Sequence, residues 1–161
     1  METPARIASS LNPYLRMDDL DFLSDDHTFL GSQVIHVVAL LKVFCEGRFV
    51  MAHLHGEAIR LTEALQSQLA EHFALEEVTA FPYLGETYPE VKPRLRALLA
   101  QHHDIFAAFE QLRSALNEEP SQLDRAQLLA TAVAFETAFE QHATEEDQLL
   151  NELTLHRQQS H

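Results

Sequence analysis

The sequence has no tryptophan, a single cysteine and only four glycines. One cysteine excludes an internal disulfide and suits a reducing compartment. Cys45 lies in the apolar run Leu40-Leu41-Lys42-Val43-Phe44-Cys45, where it reads as a small buried hydrophobe rather than a nucleophile. Scarce glycine beside abundant Ala, Leu, Glu and Gln argues for helix, and strand patterns are missing. Basic residues are also few: 11 Lys and Arg face 25 Asp and Glu, a net charge of −14. That balance excludes an electrostatic grip on nucleic acid or on an anionic membrane surface. No basic segment leads into an apolar one at the N-terminus, so no secretory signal is expected. No apolar run approaches the ~20 residues of a membrane helix, because His36 and Lys42 interrupt the best candidate. The expected location is the cytoplasm.

What is present fits one domain. The chain has 161 residues, 46% of them apolar, enough for a substantial core. Ten histidines are the one compositional excess. Residues 1–18 hold Pro4, Ser9, Ser10, Asn12 and Pro13 with weak periodicity and read as an N-terminal arm. Residues 19–156 read as a helical bundle, and 157–161 as a polar tail.

Four amphipathic stretches fill the bundle. The first is expected to start near Ser24-Asp25-Asp26 and to carry Leu23, His27, Leu30, Val34, Val37, Val38 and Leu41 on one face. Gly47-Arg48 ends it, and residues 48–56, with His53 and His55, form a connection or an early turn. The second carries Ile59, Leu61, Leu65, Leu69, His72 and Glu76 and is expected to stop around Pro82 and Gly85. The third begins near Pro93 and carries Leu95, Leu98, Leu99, His102, Ile105, Phe106, Phe109, Leu112 and Leu116. The break Asn117-Glu118-Glu119-Pro120-Ser121 follows, and Ser121 with Asp124 resembles a capping box. The fourth carries Leu128, Val133, Phe135, Phe139, His142, Glu146, Leu149, Leu150 and Leu153. Short connections between long helices predict an antiparallel up-down-up-down four-helix bundle.

The chemistry lies in polar residues on those apolar faces. His72 and Glu76 are four apart and share a face with Leu65 and Leu69, as His142 and Glu146 do on the fourth helix. Each pair is preceded by a helix with one inward histidine, His27 or His102, so the two halves echo each other. Left unpaired in a core, such groups cost about 2–7 kcal/mol each. Metal ions would satisfy them. Nitrogen and carboxylate donors without thiolate favour iron or manganese over structural zinc. Six ligands exceed one tetrahedral ion and suit two ions bridged by Glu76 and Glu146, with His27, His72, His102 and His142 divided between them.

The series His27, then His72-xxx-Glu76-Glu77 with Phe81-Pro82, then His102, then His142-xxx-Glu146-Asp147 resembles the hemerythrin-like HHE cation-binding domain over roughly residues 20–155. The resemblance implies a four-helix bundle with a non-haem di-iron centre, its ligands being the six residues named. Zinc, manganese or nickel would be substitutes for iron, since affinity alone does not select. Oxygen-carrying members have a second histidine one turn after the third-helix one; here that position is Phe106. The four-histidine, two-glutamate set is closer to the di-iron repair proteins of nitrosative and oxidative stress, whose cysteine-bearing N-terminal segment has no counterpart here.

Three readings follow. The first is a di-iron protein that binds, senses or reacts with O2, NO or peroxide, or handles iron in a stress response. It would draw on a separate redox partner protein, because no flavin, nicotinamide or haem motif is visible. The second is a redox- or iron-responsive regulatory module acting through a partner protein without catalysis. The third is a plain bundle whose inward polar groups bond to one another. His103 competes with His102, and the inward stripe favours His102. Glu77 and Asp147 read as solvated carboxylates sooner than as partners of the imidazoles. His36, His53, His55, His156 and His161 read as surface or connection residues, Phe106, Phe109, Phe135 and Phe139 as core that would also keep the site dry, and Tyr83 and Tyr88 as edge-of-core.

Overall fold

The structure is a computed structural model that describes residue 16 and residues 20–47, 51–119 and 121–159. The expected arm lies almost wholly outside the described residues, as do Arg48, Pro120 and His161. Among the described residues every regular element is helical. Four long helices are α1 (Asp21–Cys45), α2 (Met51–Leu75), α4 (Lys92–Leu116) and α5 (Arg125–Gln159), with a short α3 (Phe81–Thr87) between α2 and α4. Contacts join α1 to α2, α2 to α4, α4 to α5 and α5 back to α1, so the long helices close a ring around one interior.

The ends differ from the sequence expectation in instructive ways. Helix α1 begins at Asp21, a turn before Ser24, because Leu20 and Leu23 are themselves buried and pull that turn onto the core. It ends as expected, with Gly47 at φ +69° and its N–H bonded to the Phe44 carbonyl. The second helical stretch passes through Pro82 and closes at Thr87, two residues beyond Gly85. A single wide π turn over Glu76–Ala80 joins α2 to α3, and the Phe81 N–H bonds the Glu76 carbonyl five residues back. Pro82 then sits in the first turn of α3, where its missing N–H leaves little unsatisfied. The fourth helix is capped by Asp124 rather than Ser121: its Oδ1 accepts the Gln127 N–H at 3.1 Å. Val133 is 42% exposed, and Thr131 and Ala132 take the inward place expected of it. The helix also runs on to Gln159, into the residues expected as a polar tail.

Helix α1 is long and apolar enough, by length and composition, to cross a membrane, so His36 and Lys42 do not interrupt it as expected. In the bundle, however, it packs Leu23, Leu30, Val34, Val37, Val38, Leu41 and Phe44 inward against α2 and α5. Its outward Phe29 and Ile35 are each more than half exposed.

The core is in two parts. The larger contains Leu30 to Phe44 of α1, Ala58 to Phe73 of α2, Ile105 to Leu116 of α4 and Leu128 to Phe139 of α5. The smaller gathers Leu20 and Leu23, then Ala80, Phe81 and Leu84, then Val91, Leu95 and Leu98, then Leu149, Leu150 and Leu153. On α1, α4 and α5, and in the π turn that follows α2, the change from one part to the other falls at a buried polar residue.

Candidate metal centre

Those polar residues are His27, His72, Glu76, His102, His142 and Glu146, and the most exposed of them, His27, is only 5% accessible. Helix geometry delivers them. His72 and Glu76 share a face at i and i+4, and so do His142 and Glu146, while His27 and His102 continue the stripes of α1 and α4. The π turn begins at Glu76, and its extra residue lets Glu76, Ala80, Phe81 and Leu84 all point inward. A continuous α-helix would rotate Phe81 and Leu84 off that face.

All four imidazoles turn Nε2 toward the two carboxylates. His72 Nε2 lies 2.5 Å from Oε1 of Glu76 and His27 Nε2 3.6 Å from the same oxygen. On the other side His102 Nε2 is 2.8 Å and His142 Nε2 3.6 Å from Oε2. Glu76 thus stands between two histidine pairs, one from α1 and α2, the other from α4 and α5. Glu146 closes the layer, its Oε2 lying 3.7 Å from His27 and 3.4 Å from His142. One donor atom each from His27, Glu76, His142 and Glu146 falls within a 4.8 Å cluster. His72 and His102 flank it on opposite sides of Glu76.

Proximity here is not hydrogen bonding. Nε2 of all four histidines and both oxygens of Glu76 and Glu146 are buried, yet none is aligned with a hydrogen-bond partner. Buried polar atoms in proteins are overwhelmingly paired, so eight orphans aimed at one place require an explanation. Lone pairs converging on a common point are what a cation needs, and imidazole nitrogen with carboxylate oxygen is a donor set that iron, manganese and zinc accept. The residues fit a metal.

Electrostatics say the same. Burial by itself works against ionisation of Glu76, but the four imidazoles around it, His102 foremost, hold its carboxyl well below the usual carboxylate range. Glu146 is pushed up by burial, with the neighbouring Glu76 charge adding to the rise and His142 opposing it. For His142, burial disfavours the imidazolium, yet Glu146 and Glu76 raise it to about 9. His27 is likewise raised against its own burial by Glu76, Glu146 and Asp147. The layer attracts positive charge, and without a cation protons supply it.

Behind the imidazoles a second set of side chains receives the outward nitrogens. His27 Nδ1 donates to Asp147 at 3.0 Å, His72 Nδ1 to Asp26 at 3.3 Å, His102 Nδ1 to Glu77 at 2.7 Å and His142 Nδ1 to Gln101 at 3.2 Å. The pattern is cyclic: α1 supports the histidine of α2, the π turn that of α4, α4 that of α5, and α5 that of α1. Glu77 and Asp147 are therefore not merely solvated, contrary to the sequence expectation. Asp26, expected as part of a helix cap, lies inside α1 and faces His72 instead, and Gln101 has no place in the sequence reading. The available signal was adjacency, since each of the four is the chain neighbour of an inward residue. Holding the proton on Nδ1 leaves each Nε2 lone pair free, the arrangement common around metal-bound histidine.

Aromatic rings seal the layer. Phe73 stacks on His102 with ring centroids 3.9 Å apart and an 11° interplanar angle, and Phe81 covers the other face at 5.8 Å. Of the phenylalanines expected to keep the site dry, Phe106 packs edge-on against Phe73 at 5.3 Å, one ring removed from His102, while Phe109 and Phe135 pack on each other at 5.2 Å in the larger core with Phe139 in the same cluster. His103 is exposed, as are His36, His53 and His156. His55 is half-buried, with Nε2 donating to the Leu116 carbonyl at 2.6 Å and its ring on Phe44, so it anchors the end of α4. Cys45 is half-buried and donates to the Arg125 carbonyl at 3.4 Å; burial pushes its thiol up, the character of an unreactive cysteine. Tyr83 and Tyr88 pack at the edge of the smaller core.

This all-helical chain with a buried His/Glu cluster belongs to a class of cation-binding helical domains. The family model of the hemerythrin HHE cation binding domain matches residues 20–153, and the chain belongs to that family. No curated protein and no solved structure matches it.

Proposed function

We propose that this is a non-haem di-iron protein, folded as an antiparallel up-down-up-down four-helix bundle, that binds and reacts with a small molecule such as O2, NO or peroxide. The observation that carries the reading is the set of eight buried donor atoms without hydrogen-bond partners. The irons would be held by His27, His72, His102 and His142 together with the carboxylates of Glu76 and Glu146. Contacts between opposite helix ends support the antiparallel order: Cys45 meets Arg125, and His55 meets Leu116.

When bound, a pair of irons supplies redox-active cations with coordination positions left over for a small ligand. The chain's own part is to prepare that place. Asp26, Glu77, Gln101 and Asp147 hold the Nδ1 protons, Glu76 stays ionised between the histidine pairs, and Phe73 and Phe81 exclude water from His102. Burial limits what can enter: with no site residue more than 5% accessible, the layer is closed to a bulky substrate, which favours a small ligand. A cleft of about 250 Å³ bordered by Asp26, Phe29, Leu30 and Leu75 reaches His72 and offers an approach. Electrons would come from a separate redox partner protein.

Protein purified under reducing, anaerobic conditions is expected to hold two irons per chain. Addition of O2 or NO should then change the absorption spectrum of the iron-loaded chain. Metal-free protein that takes up no iron would overturn the reading, and an unchanged spectrum would remove its small-molecule half. His72→Ala should lower metal content sharply, whereas His53→Ala should not.

A further inference from the structure

The four outer acceptors are not chemically alike. Asp147, Asp26 and Glu77 are carboxylates, which only accept, so they keep the proton on Nδ1 whichever way they rotate. Gln101 ends in an amide with an accepting Oε1 and a donating Nε2 of nearly equal size. Turned over, that amide would present N–H to Nδ1 of His142, send the ring proton to Nε2 and close that nitrogen to a cation. Something must fix the amide.

Glu145 is placed to do so. Gln101 Nε2 donates to Oε2 of Glu145 at 2.6 Å, and the other Glu145 oxygen accepts from Gln141 Nε2 at 2.9 Å. A carboxylate has nothing to donate, so Gln101 can satisfy it only with Nε2. That forces Oε1 toward His142.

We propose that Glu145 is a positioning residue for the metal centre: acting through Gln101, it holds the proton of His142 on Nδ1 and keeps Nε2 open to a cation. The inference rests on the di-iron reading and extends it. The ion beside His102 and His142 depends on Glu145, and the ion beside His27 and His72 does not, because Asp147 and Asp26 need no such control.

The test is an anaerobic titration of the metal-free 161-residue chain with Fe(II), followed by calorimetry, with matched thermal melts for every variant. Wild type takes two ions. In Glu145→Gln the new amide can face Gln101 either way, and one of the two binding steps should weaken about tenfold while the other is unchanged. The double variant Gln101→Glu/Glu145→Gln puts a carboxylate directly on His142 and should restore the weakened step, which no merely structural role for Glu145 would do. Two unaltered steps in Glu145→Gln, equal weakening of both, or failure of the double variant to recover each overturns the proposal. Wild-type protein that binds no Fe(II) fails earlier, and sinks the di-iron reading and the proposal with it.

Discussion

The larger core and the polar layer beside it are built on the same helix faces with the same spacing, yet they do opposite things for the fold. In the core, Phe109, Phe135 and Phe139 are at most 1% exposed and carry no polar side-chain atom. One step along the same stripes, the six polar residues are equally buried and their inward atoms have no hydrogen-bond partners. Burial stabilises the first region and costs the second, since a desolvated charge is recovered only by a well-placed counter-charge. Two regions with one architecture and contrary energetics teach that the layer is kept for what it binds.

The largest effect should come from the core. Phe135→Ala removes a fully buried ring packed on Phe109 and is expected to lower stability by about 3–5 kcal/mol. Urea unfolding of metal-free protein would measure it, and the folded fraction should still take up metal as wild type does. Loss of metal binding from the folded fraction of this variant would erase the distinction between the regions.

A change of opposite sign is expected in the layer. The double substitution His142→Leu/Glu146→Leu exchanges a buried polar pair for apolar side chains on the same face. Metal-free protein should gain about 1–4 kcal/mol, as such replacements often do, and metal uptake should collapse. A destabilised double variant would show that the layer contributes to the fold in its own right. Smaller again is Asp147→Asn. It keeps the shape of the acceptor behind His27 and removes its charge, so metal affinity should fall roughly tenfold with little change in unfolding.

How much of this was legible in the sequence follows from the same contrast. The six inward polar residues stand out because they interrupt an apolar period, and that period is a local property of each helix. What lay beyond reach was whatever depends on how the helices are rotated against one another. Asp26 precedes His27 in the chain but supports His72, and Gln101 precedes His102 but supports His142. Both partnerships cross between helices, and no spacing rule within one helix encodes them. Pro82 misled for a different reason. Proline normally closes a helix, but the π turn before it shifts the hydrogen-bond register so that the chain continues through it. The Phe81-Pro82 motif was visible; the cover that Phe81 provides over His102 required the fold.

The smallest expected effect is also the finest division between the two kinds of position, because it separates adjacent residues. His102 and His103 differ by one step of about 100° around α4. That rotation takes the first ring between Phe73 and Phe81, 2% exposed, and leaves the second in solvent. His103→Ala should change stability by less than about 0.5 kcal/mol, the usual range for a surface substitution, and leave metal stoichiometry as it was. His102→Ala removes one Nε2 donor and frees Glu77, and should lose one of the two ions. Parallel metal analysis of the two purified variants decides the matter. If His103→Ala loses metal and His102→Ala keeps it, the helix is rotated from the position described, and with it every pairing assigned to α4.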